Sequence, residues 1–307
     1  MSANLIVAVV GATAAGKSAV AVSLGRALDA EVINADSMQL YRGLNIGTAK
    51  LSLGEQQGVA HHLFDIWDLR ETASVAAYQR LADDAVADIC SRGHTPIVVG
   101  GSGLYVRAVL DGLEFPGTDE TVRARLEAEL TSVGPAAMHQ RLRKVDPAAA
   151  AAILPSNGRR VVRALEVVEL TGQPFTATLP AYSYRRPTVQ VGISVSLPEL
   201  DRRIAARTDA MFKAGLVDEV RRLVPAGLRE GRTASRALGY SQVLRHLDGD
   251  MTEQEAREEI VRATRRFARR QLSWFRRDPR IHWLPGDAGA EEIFDRVLGL
   301  IRRTIDG

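Results

Sequence analysis

The sequence has little cysteine, little lysine and no long apolar segment. Its one cysteine, Cys90, allows neither a disulfide framework nor a zinc cluster and suits a reducing, cytoplasmic environment. No run of roughly 18 apolar residues occurs, so we expect no transmembrane helix and no membrane partner. None of the 6 histidines has metal-ligand spacing. The composition, 46% apolar and 25% charged, is typical of a globular cytoplasmic protein.

The clearest motif lies near the N-terminus, where an apolar segment leads into a loop of small residues. Residues 5–10 read LIVAVV, residues 11–18 read GATAAGKS, and apolar residues then recur at helical spacing. The pattern G-x-x-x-x-G-K-S between a strand and a helix predicts a phosphate-binding loop, because backbone N–H groups and the helix N-terminus converge on an anion. Lys17 would reach further phosphate oxygens, and the Ser18 hydroxyl would bind Mg²⁺. The predicted phosphate-binding residues are Gly11, Ala12, Thr13, Ala14, Ala15, Gly16, Lys17 and Ser18.

A second predicted strand ends beside this loop. Residues 31–36, EVINAD, read as a short strand whose last residue, Asp36, would lie at the edge where open α/β sheets bind ligands. The alternative role for Asp36 is to cap a helix that follows it. We favour a chemical role, as a carboxylate next to the phosphate loop.

A third predicted strand lacks the carboxylate that many P-loop ATPases carry. Residues 95–105, TPIVVGGSGLY, read as a buried strand that runs into Gly100, Gly101 and Ser102. P-loop ATPases commonly end a core strand in an Asp that holds Mg²⁺ and organises the attacking water. Glycines here would instead let the backbone approach a ligand closely. The sequence therefore disfavours a motor or signalling NTPase.

The predicted elements divide the chain into a discontinuous core and an insertion. Residues 1–112 and 188–307 predict an α/β fold, with a P-loop NTPase-like parallel sheet flanked by helices. Between them, residues 119–130, 147–154 and 159–171 predict short amphipathic helices without a strand. We therefore expect residues 113–187 to form a mainly helical insertion domain.

Arginine supplies most of the positive charge and is concentrated in two places. Lysine occupies only positions 17, 50, 144 and 213 among the 40 basic residues. One arginine cluster lies in the predicted insertion, at Arg159, Arg160 and Arg163. The other shares one face of a long helix predicted over residues 252–277, at Arg262, Arg265, Arg266, Arg269 and Arg270. A solvated face is the alternative for both clusters, but a stripe of one sign favours contact with a polyanion such as nucleic acid.

Seven segments match one known family in order and across nearly the whole chain. They are GATAAGKS (11–18), INADSMQLYRGLNIGTAK (33–50), VVGGSGLYVRAVLDGL (98–113), RALEV (163–167), MFKAGLVDEV (211–220), RALGY (236–240) and RRFARRQLSWFRRD (265–278). Together these segments resemble the tRNA dimethylallyltransferases, also called tRNA isopentenyltransferases. The block over 33–50 is far more specific than the phosphate loop alone.

The resemblance implies a reaction and its partners. The family transfers the dimethylallyl group of dimethylallyl diphosphate to N6 of the adenine just 3′ of the anticodon, in tRNAs that read codons beginning with U. It therefore implies a prenyl transferase that releases diphosphate, with tRNA and dimethylallyl diphosphate as partners and Mg²⁺ as the cofactor. A monomer is the working expectation for the assembly.

The resemblance also implies roles for individual residues. Asp36, Ser18 and Arg207 would be the catalytic residues, with Asp36 as the general base that removes the N6 proton. Lys17, Ser18 and Arg207 would hold the diphosphate directly or through Mg²⁺, and Arg203 is the alternative to Arg207. The residues implied to contact tRNA are Asp36, Ser37, Met38, Gln39, Ser102, Arg123, Arg159, Arg160, Arg163, Arg236, Gly239, Tyr240, Arg269, Arg270, Gln271, Trp274 and Arg276.

Three other functions remain open at this stage. An adenylate isopentenyltransferase would use the same donor on free AMP, ADP or ATP, but it does not explain the arginine stripe or the insertion. A small-molecule kinase would place ATP on the phosphate loop. An RNA-binding protein would use a bound nucleotide only to switch its affinity.

Overall fold

In a computed structural model of the chain, the structure describes residues 5–175, 180–288 and 290–306. These residues form two compact units. The larger takes in the described residues of Met1–Gly112 and Ser183–Gly307, and the smaller those of Leu113–Tyr182. Residues 183–187, which we expected in the insertion, lie in the larger unit because Arg185 donates its backbone N–H to Leu110 O at 3.0 Å.

A parallel sheet of six strands organises the larger unit. The strands are β1 (Ile6–Gly11), β2 (Ala30–Asn34), β3 (His61–His62), β4 (Thr95–Gly100), β5 (Thr188–Ser194) and β6 (His282–Pro285). Their order is β3-β2-β4-β1-β5-β6, and every neighbouring pair is parallel. The carboxyl ends of the central strands β1 and β4 are level, with Val10 opposite Gly100. The predicted P-loop-like α/β fold is confirmed.

Helices cover both faces of this sheet. The α-helices of the described residues are α1 (Lys17–Leu28), α2 (Val75–Ser91), α3 (Gly103–Leu110), α4 (Glu120–Val145), α5 (Pro147–Ala152), α6 (Gly158–Thr171), α7 (Leu197–Lys213), α8 (Leu216–Leu223), α9 (Tyr240–Leu247), α10 (Glu253–Phe275) and α11 (Ala290–Asp306). Alternate residues of β1 point to opposite faces. Ile6 and Val10 join the core with α2, α3 and α9, whereas Val7 and Val9 join the core with α1 and α11.

The smaller unit consists of α4, α5 and α6 around its own apolar core. Leu126, Met138 and Leu142 of α4 pack with Val161 and Leu165 of α6. The predicted helix over residues 119–130 is too short, because α4 resumes after a kink at Gly134 and continues to Val145. Met138 and Leu142 hold this second segment in the core.

Two further elements had no counterpart in the sequence interpretation. We expected a turn after β4, but α3 begins at Gly103, and its residues 105–110 are all buried. A helix buried on every side lacks the polar face that gives helical periodicity. Strand β3 is only two residues long, which is too short for a pattern. Within the part of the chain that the structure describes, no helix is both long and apolar enough to cross a membrane.

Candidate active site

The loop between β1 and α1 curls at the carboxyl edge of the sheet. Gly11 has a φ of +141°, and a Cβ there would lie 2.9 Å from the Ile193 carbonyl oxygen, so only glycine fits. Gly16 has a φ of +100° and directly precedes α1. Ala14 also has a positive φ, 63°, a conformation that stores on the order of 1 kcal/mol of strain in a residue with a side chain. This is the geometry of an anion-binding loop.

Two cations lie at this loop, and each is bonded to a neutral atom. Lys17 Nζ donates to Ala12 O at 2.8 Å, and Arg207 Nη2 donates to Thr13 Oγ1 at 2.5 Å. Burial lowers the pKa of Lys17 to about 8; the Asp36 carboxylate opposes this shift, and the charge of Arg207 adds to it. Burial also lowers the pKa of Arg207, again opposed by Asp36. Both cations can turn to a bound anion without breaking an ion pair.

The structure separates Arg207 from Arg203, which the sequence could not do. Arg203 lies one turn earlier on α7 and donates Nε to Glu199 Oε1 at 2.7 Å. It also lines a largely apolar cavity of about 190 Å³ beside Gly16, away from Thr13. Of these two arginines, it is Arg207 that bonds to a side chain of the phosphate loop.

Asp36 follows β2 and has one oxygen anchored. Its Oδ1 accepts the Met38 backbone N–H at 2.9 Å, and its own N–H donates to Asn34 Oδ1 at 2.9 Å. No hydrogen bond to Oδ2 comes from the residues that the structure describes. The helix-cap alternative is wrong, because the next helix in the chain, α2, begins at Val75. The carboxylate therefore has a fixed orientation and a second oxygen available for a proton.

The turn between β4 and α3 packs against the protein itself. A Cβ at Gly101 would lie 2.3 Å from Gln271 Nε2, and one at Gly103 would lie 2.0 Å from Trp274 Nε1. We expected these small residues to admit a ligand, but the close approach is to α10. Between them, Ser102 Oγ accepts the Ser37 N–H at 3.2 Å, which ties this turn to the segment after Asp36.

Several residues implied to contact tRNA instead hold the segment after Asp36 in place. Gln39 Nε2 donates to Thr48 O at 3.0 Å, and Met38 packs against the core. Tyr240 is fully buried, and its hydroxyl donates to Glu219 Oε1 at 2.6 Å. Glu219 also accepts the Ile46 N–H at 2.9 Å. The side chain of Tyr240 therefore has no exposed surface in this structure, and its implied contact with tRNA stays a prediction.

Gln271 is also buried, at 5% exposure, and both ends of its amide are engaged. Oε1 accepts the Thr13 N–H at 2.8 Å, and Nε2 donates to Gly101 O at 2.9 Å. Both ends of the amide are thus bonded within the protein, and its implied contact with tRNA stays a prediction. Trp274, one turn later, is half-buried against Gly103.

In the smaller unit, two of the implied tRNA-binding arginines surround a buried carboxylate. Glu166 has a fully buried side chain, and its Oε2 accepts from Arg123 Nη2 at 2.6 Å and from Arg163 Nη1 at 3.0 Å. Burial alone would raise the pKa of Glu166, but these hydrogen bonds outweigh it and hold the pKa below its usual value. Arg163 also donates to Pro116 O at 2.6 Å. Arg159 and Arg160, by contrast, are exposed at the start of α6.

The arginine stripe of α10 divides into two groups. Arg265 and Arg269 face α7 and pair with Asp201, with Arg269 Nη2 2.9 Å from Asp201 Oδ2. Arg262 pairs with Glu258 of the same helix at 3.6 Å. The remaining Arg266 and Arg270, together with Arg276 and Arg277 directly after α10, are named the open arginine face. All four are exposed, and none pairs with a carboxylate of a described residue; Arg270 lies over the Phe267 ring. Arg236, before α9, and Gly239, at the start of α9, complete the implied tRNA residues; Arg236 is exposed and Gly239 is buried.

The candidate site offers few side chains that could bind Mg²⁺. Among the described residues, no group of three or more His, Cys, Asp or Glu side chains is arranged to hold a metal. Ser18 is half-buried in the first turn of α1, and its hydroxyl has no partner within the described ranges. Mg²⁺ is often held by few protein ligands together with substrate phosphates, and this donor set fits that mode.

The fold and the loop together define a P-loop-like α/β protein in which the phosphate-loop motif and the Asp36 carboxylate follow strands of the same sheet. A family model described as IPP transferase matches residues 39–278. The chain belongs to this IPP transferase family, as the resemblance of its motifs indicated.

Individual relatives agree with this assignment along the whole chain. The tRNA dimethylallyltransferase of Thermobifida fusca is 62% identical over 303 residues, which cover 97% of this chain and 94% of the relative. The crystal structure of the tRNA isopentenylpyrophosphate transferase of Bacillus halodurans is 41% identical, with a TM-score of 0.73, and the match covers 99% and 98% of the two chains. A eukaryotic dimethylallyltransferase acting on tRNA is 26% identical with a TM-score of 0.77, over 92% of this chain and 74% of the other.

Some residues that shape the site were not predicted. Lys50 is nearly buried and donates to Asp65 Oδ1 at 2.6 Å and to Tyr41 O at 2.9 Å, which closes the segment over 33–50. Glu219 fixes the same segment from α8. Both stand inside the motifs that carry the family resemblance, and a lone lysine in an arginine-rich chain was the available signal.

Proposed function

We propose that this protein transfers the dimethylallyl group from dimethylallyl diphosphate to N6 of the adenine on the 3′ side of the anticodon, in tRNAs that read codons beginning with U. The observation that carries the proposal is the convergence of Lys17, Arg207 and Asp36 at one edge of the sheet. Relatives named for the same reaction, 62% identical in one case, support it.

The phosphate loop and its two cations serve the leaving group. An allylic diphosphate ionises readily once the charge that develops on its bridging oxygen is neutralised, so clustered cations are the main catalytic need. Lys17 and Arg207 would leave Ala12 O and Thr13 Oγ1 for the diphosphate oxygens. Neither cation is bonded to a carboxylate, so this exchange breaks only hydrogen bonds to neutral acceptors.

Asp36 serves the acceptor. The N6 lone pair attacks C1 of the allyl group, the C1–O bond breaks, and its electron pair leaves on the diphosphate. The N6 proton passes to Asp36 Oδ2 while Oδ1 stays on the Met38 N–H. A strand-end Asp at β4 is not needed, because no water has to attack a γ-phosphate.

Mg²⁺ is the proposed cofactor, with the Ser18 hydroxyl as its protein ligand. When bound, the ion would neutralise further charge on the diphosphate. The backbone N–H groups of the phosphate loop and Lys17 would bind and orient the diphosphate.

In the larger unit, the proposed tRNA-binding residues are those of the open arginine face and Arg236. In the smaller unit, they are the exposed Arg159 and Arg160. The smaller unit is proposed as the tRNA-contacting insertion domain. An adenine in the anticodon loop must be turned out of its stack to reach Asp36, and basic side chains can hold the displaced loop. Such a substrate places the reaction in the cytoplasm.

Mass spectrometry of tRNA nucleosides tests the reaction. Unmodified tRNA incubated with the protein and dimethylallyl diphosphate should gain one dimethylallyl group on one adenosine. Prenylation of AMP with none of tRNA would support the adenylate enzyme instead. Protection against unfolding by ATP, but not by dimethylallyl diphosphate, would support a kinase.

The variant Asp36→Asn tests the general base. Asparagine keeps the oxygen that binds the Met38 N–H, so tRNA affinity should persist while turnover falls at least about 10²-fold. Asp218 is an exposed carboxylate, and the variant Asp218→Asn is the matched control. Its turnover should equal that of wild type. Loss of tRNA binding with unchanged turnover per bound tRNA would contradict the role of Asp36.

A further inference from the structure

One buried side chain connects three parts of the candidate site. Gln271 lies on α10, 258 residues along the chain from Thr13 in the phosphate loop, and 170 from Gly101 in the turn after β4. Its amide orientation is fixed by its partners, because the Thr13 N–H can only donate and the Gly101 carbonyl can only accept. A rotation of the amide by half a turn would lose both bonds.

Gln271 restrains the phosphate loop at its most strained point. It takes the Thr13 N–H at 2.8 Å, directly before Ala14 with its positive φ. The same Thr13 accepts from Arg207 Nη2 through its hydroxyl at 2.5 Å. The position of Thr13, and with it the contact of Arg207 with the loop, therefore depends on Gln271.

The other end of the amide restrains the segment that carries the proposed base, Asp36. Gly101 precedes Ser102, whose Oγ accepts the Ser37 N–H at 3.2 Å, and Ser37 follows Asp36. A Cβ at Gly101 would lie 2.3 Å from Gln271 Nε2, so the backbone is pressed against the amide. The Gln271 side chain thus links the phosphate loop, where the two cations lie, to the segment that contains the Asp36 carboxylate.

We propose that Gln271 is a positioning residue that fixes the distance between the phosphate loop and the segment formed by Asp36 and Ser37. The inference rests on the proposed function, because this distance sets how the donor carbon meets the acceptor nitrogen. Misplacement of reacting groups by about 1 Å can cost about 10²-fold in rate. Gln271 touches neither substrate and acts through Thr13 and Gly101.

The variants Gln271→Leu and Gln271→Glu test this role in the full-length protein. Leucine removes both hydrogen bonds, so kcat/KM for dimethylallyl diphosphate should fall about 10²-fold, with tRNA affinity within twofold of wild type. Binding of inorganic diphosphate, measured by calorimetry without tRNA, should weaken by about tenfold. Unchanged diphosphate binding together with weaker tRNA binding would overturn the proposal and make Gln271 an RNA contact.

The glutamate variant gives a signature that a purely structural role would not. A neutral carboxyl group can accept from Thr13 and donate to Gly101, whereas a carboxylate cannot donate. The activity of Gln271→Glu, divided by that of wild type at the same pH, should therefore rise as the pH falls from about 8.5 to about 6. Taking the ratio removes the pH dependence that the two proteins share, and a ratio that stays flat would overturn the proposal.

A buried glutamine elsewhere supplies the matched control. Gln190 in β5 is 2% exposed, and its Oε1 accepts from the Tyr184 hydroxyl at 2.8 Å. Gln190→Leu should lower thermal stability but leave diphosphate binding unchanged, and an equal loss of binding would overturn the specific role of Gln271. If wild type transfers no prenyl group to tRNA, the proposed function fails, while the calorimetric comparison still decides whether Gln271 positions the loop.

Discussion

The arginines of α6 and those of α10 are alike in sequence but have different partners in the structure. On α6, Arg163 shares the buried Glu166 with Arg123. On the open arginine face of α10, exposed guanidinium groups such as Arg266 and Arg277 have no carboxylate partner among the described residues. Arg163 and Arg123 therefore take part in the internal ion pairs of the smaller unit. The guanidinium groups of the open arginine face stay exposed.

The same difference separates neighbouring cations near the phosphate loop. Arg203 pairs with Glu199, whereas Arg207 bonds only to a threonine hydroxyl. Lys50 binds Asp65, whereas Lys17 binds a backbone carbonyl. A cation with an internal carboxylate is part of the fold, and a cation bonded to neutral atoms is available for an anion.

The largest expected change in kcat/KM is a difference between variants of two arginines of α7. Arg207→Met should lower kcat/KM for dimethylallyl diphosphate about 10²- to 10³-fold, because a preorganised charge at the leaving group is lost. Arg203→Met removes a cation that Glu199 already neutralises, and the decrease should stay below about tenfold. Steady-state kinetics with saturating tRNA measures both. Equal losses would show that the internal partner does not distinguish these residues.

The carboxylate that holds the arginines of the smaller unit gives the next effect. Glu166→Gln removes the carboxylate charge to which two guanidinium groups are hydrogen-bonded. The free energy of unfolding of this unit should fall by about 2 kcal/mol. Amide hydrogen exchange across α4 and α6 measures the change. Glu169→Gln, at a half-exposed pair with Arg125, is the control and should change exchange by less than about 0.5 kcal/mol. Equal protection in both variants would contradict the structural role of Glu166.

A triple variant tests the open arginine face. Changing Arg266, Arg270 and Arg277 to glutamine should reduce the slope of log affinity for tRNA against log salt by about 2, because each phosphate contact contributes about 0.7 to 0.9. Thermal stability should not change. The matched triple variant changes Arg221, Arg229 and Arg296, each of which pairs with a carboxylate. A salt slope that is the same in both triples would assign the face to solvent.

The last expected effect, which leaves the affinity at pH 7 unchanged, concerns the pH dependence of donor binding. The pKa of Lys17 is lowered to about 8, so its charge is largely present at pH 7 and is lost as the pH rises through 8. The charged form binds the diphosphate, and affinity for dimethylallyl diphosphate without tRNA should fall about tenfold per pH unit above this value. Lys17→Arg stays charged and should flatten the profile. A flat wild-type profile up to pH 9.5 would contradict the shift.

How far the sequence predicts the site depends on the separation of the interacting residues. The phosphate loop and Asp36 were predicted because each follows a strand of recognisable pattern, and parallel strands bring such ends to one edge. Tyr240 and Gln271 were placed on RNA by resemblance, but the structure buries both. Burial of a polar side chain depends on partners distant in sequence, here Glu219 and Thr13, and no local pattern reports them.

The sequence by itself determined the conformations that depend on a few adjacent residues. Gly11 and Gly16 allow the curl of the phosphate loop, and Thr252 with Glu255, in S/T-x-x-E spacing, forms a capping box at the start of α10. Tertiary structure alone decided which cations remain available, because a guanidinium is neutralised only where folding brings a carboxylate within hydrogen-bond distance. Arg163 meets Glu166 in this way, and Arg270 meets none among the described residues.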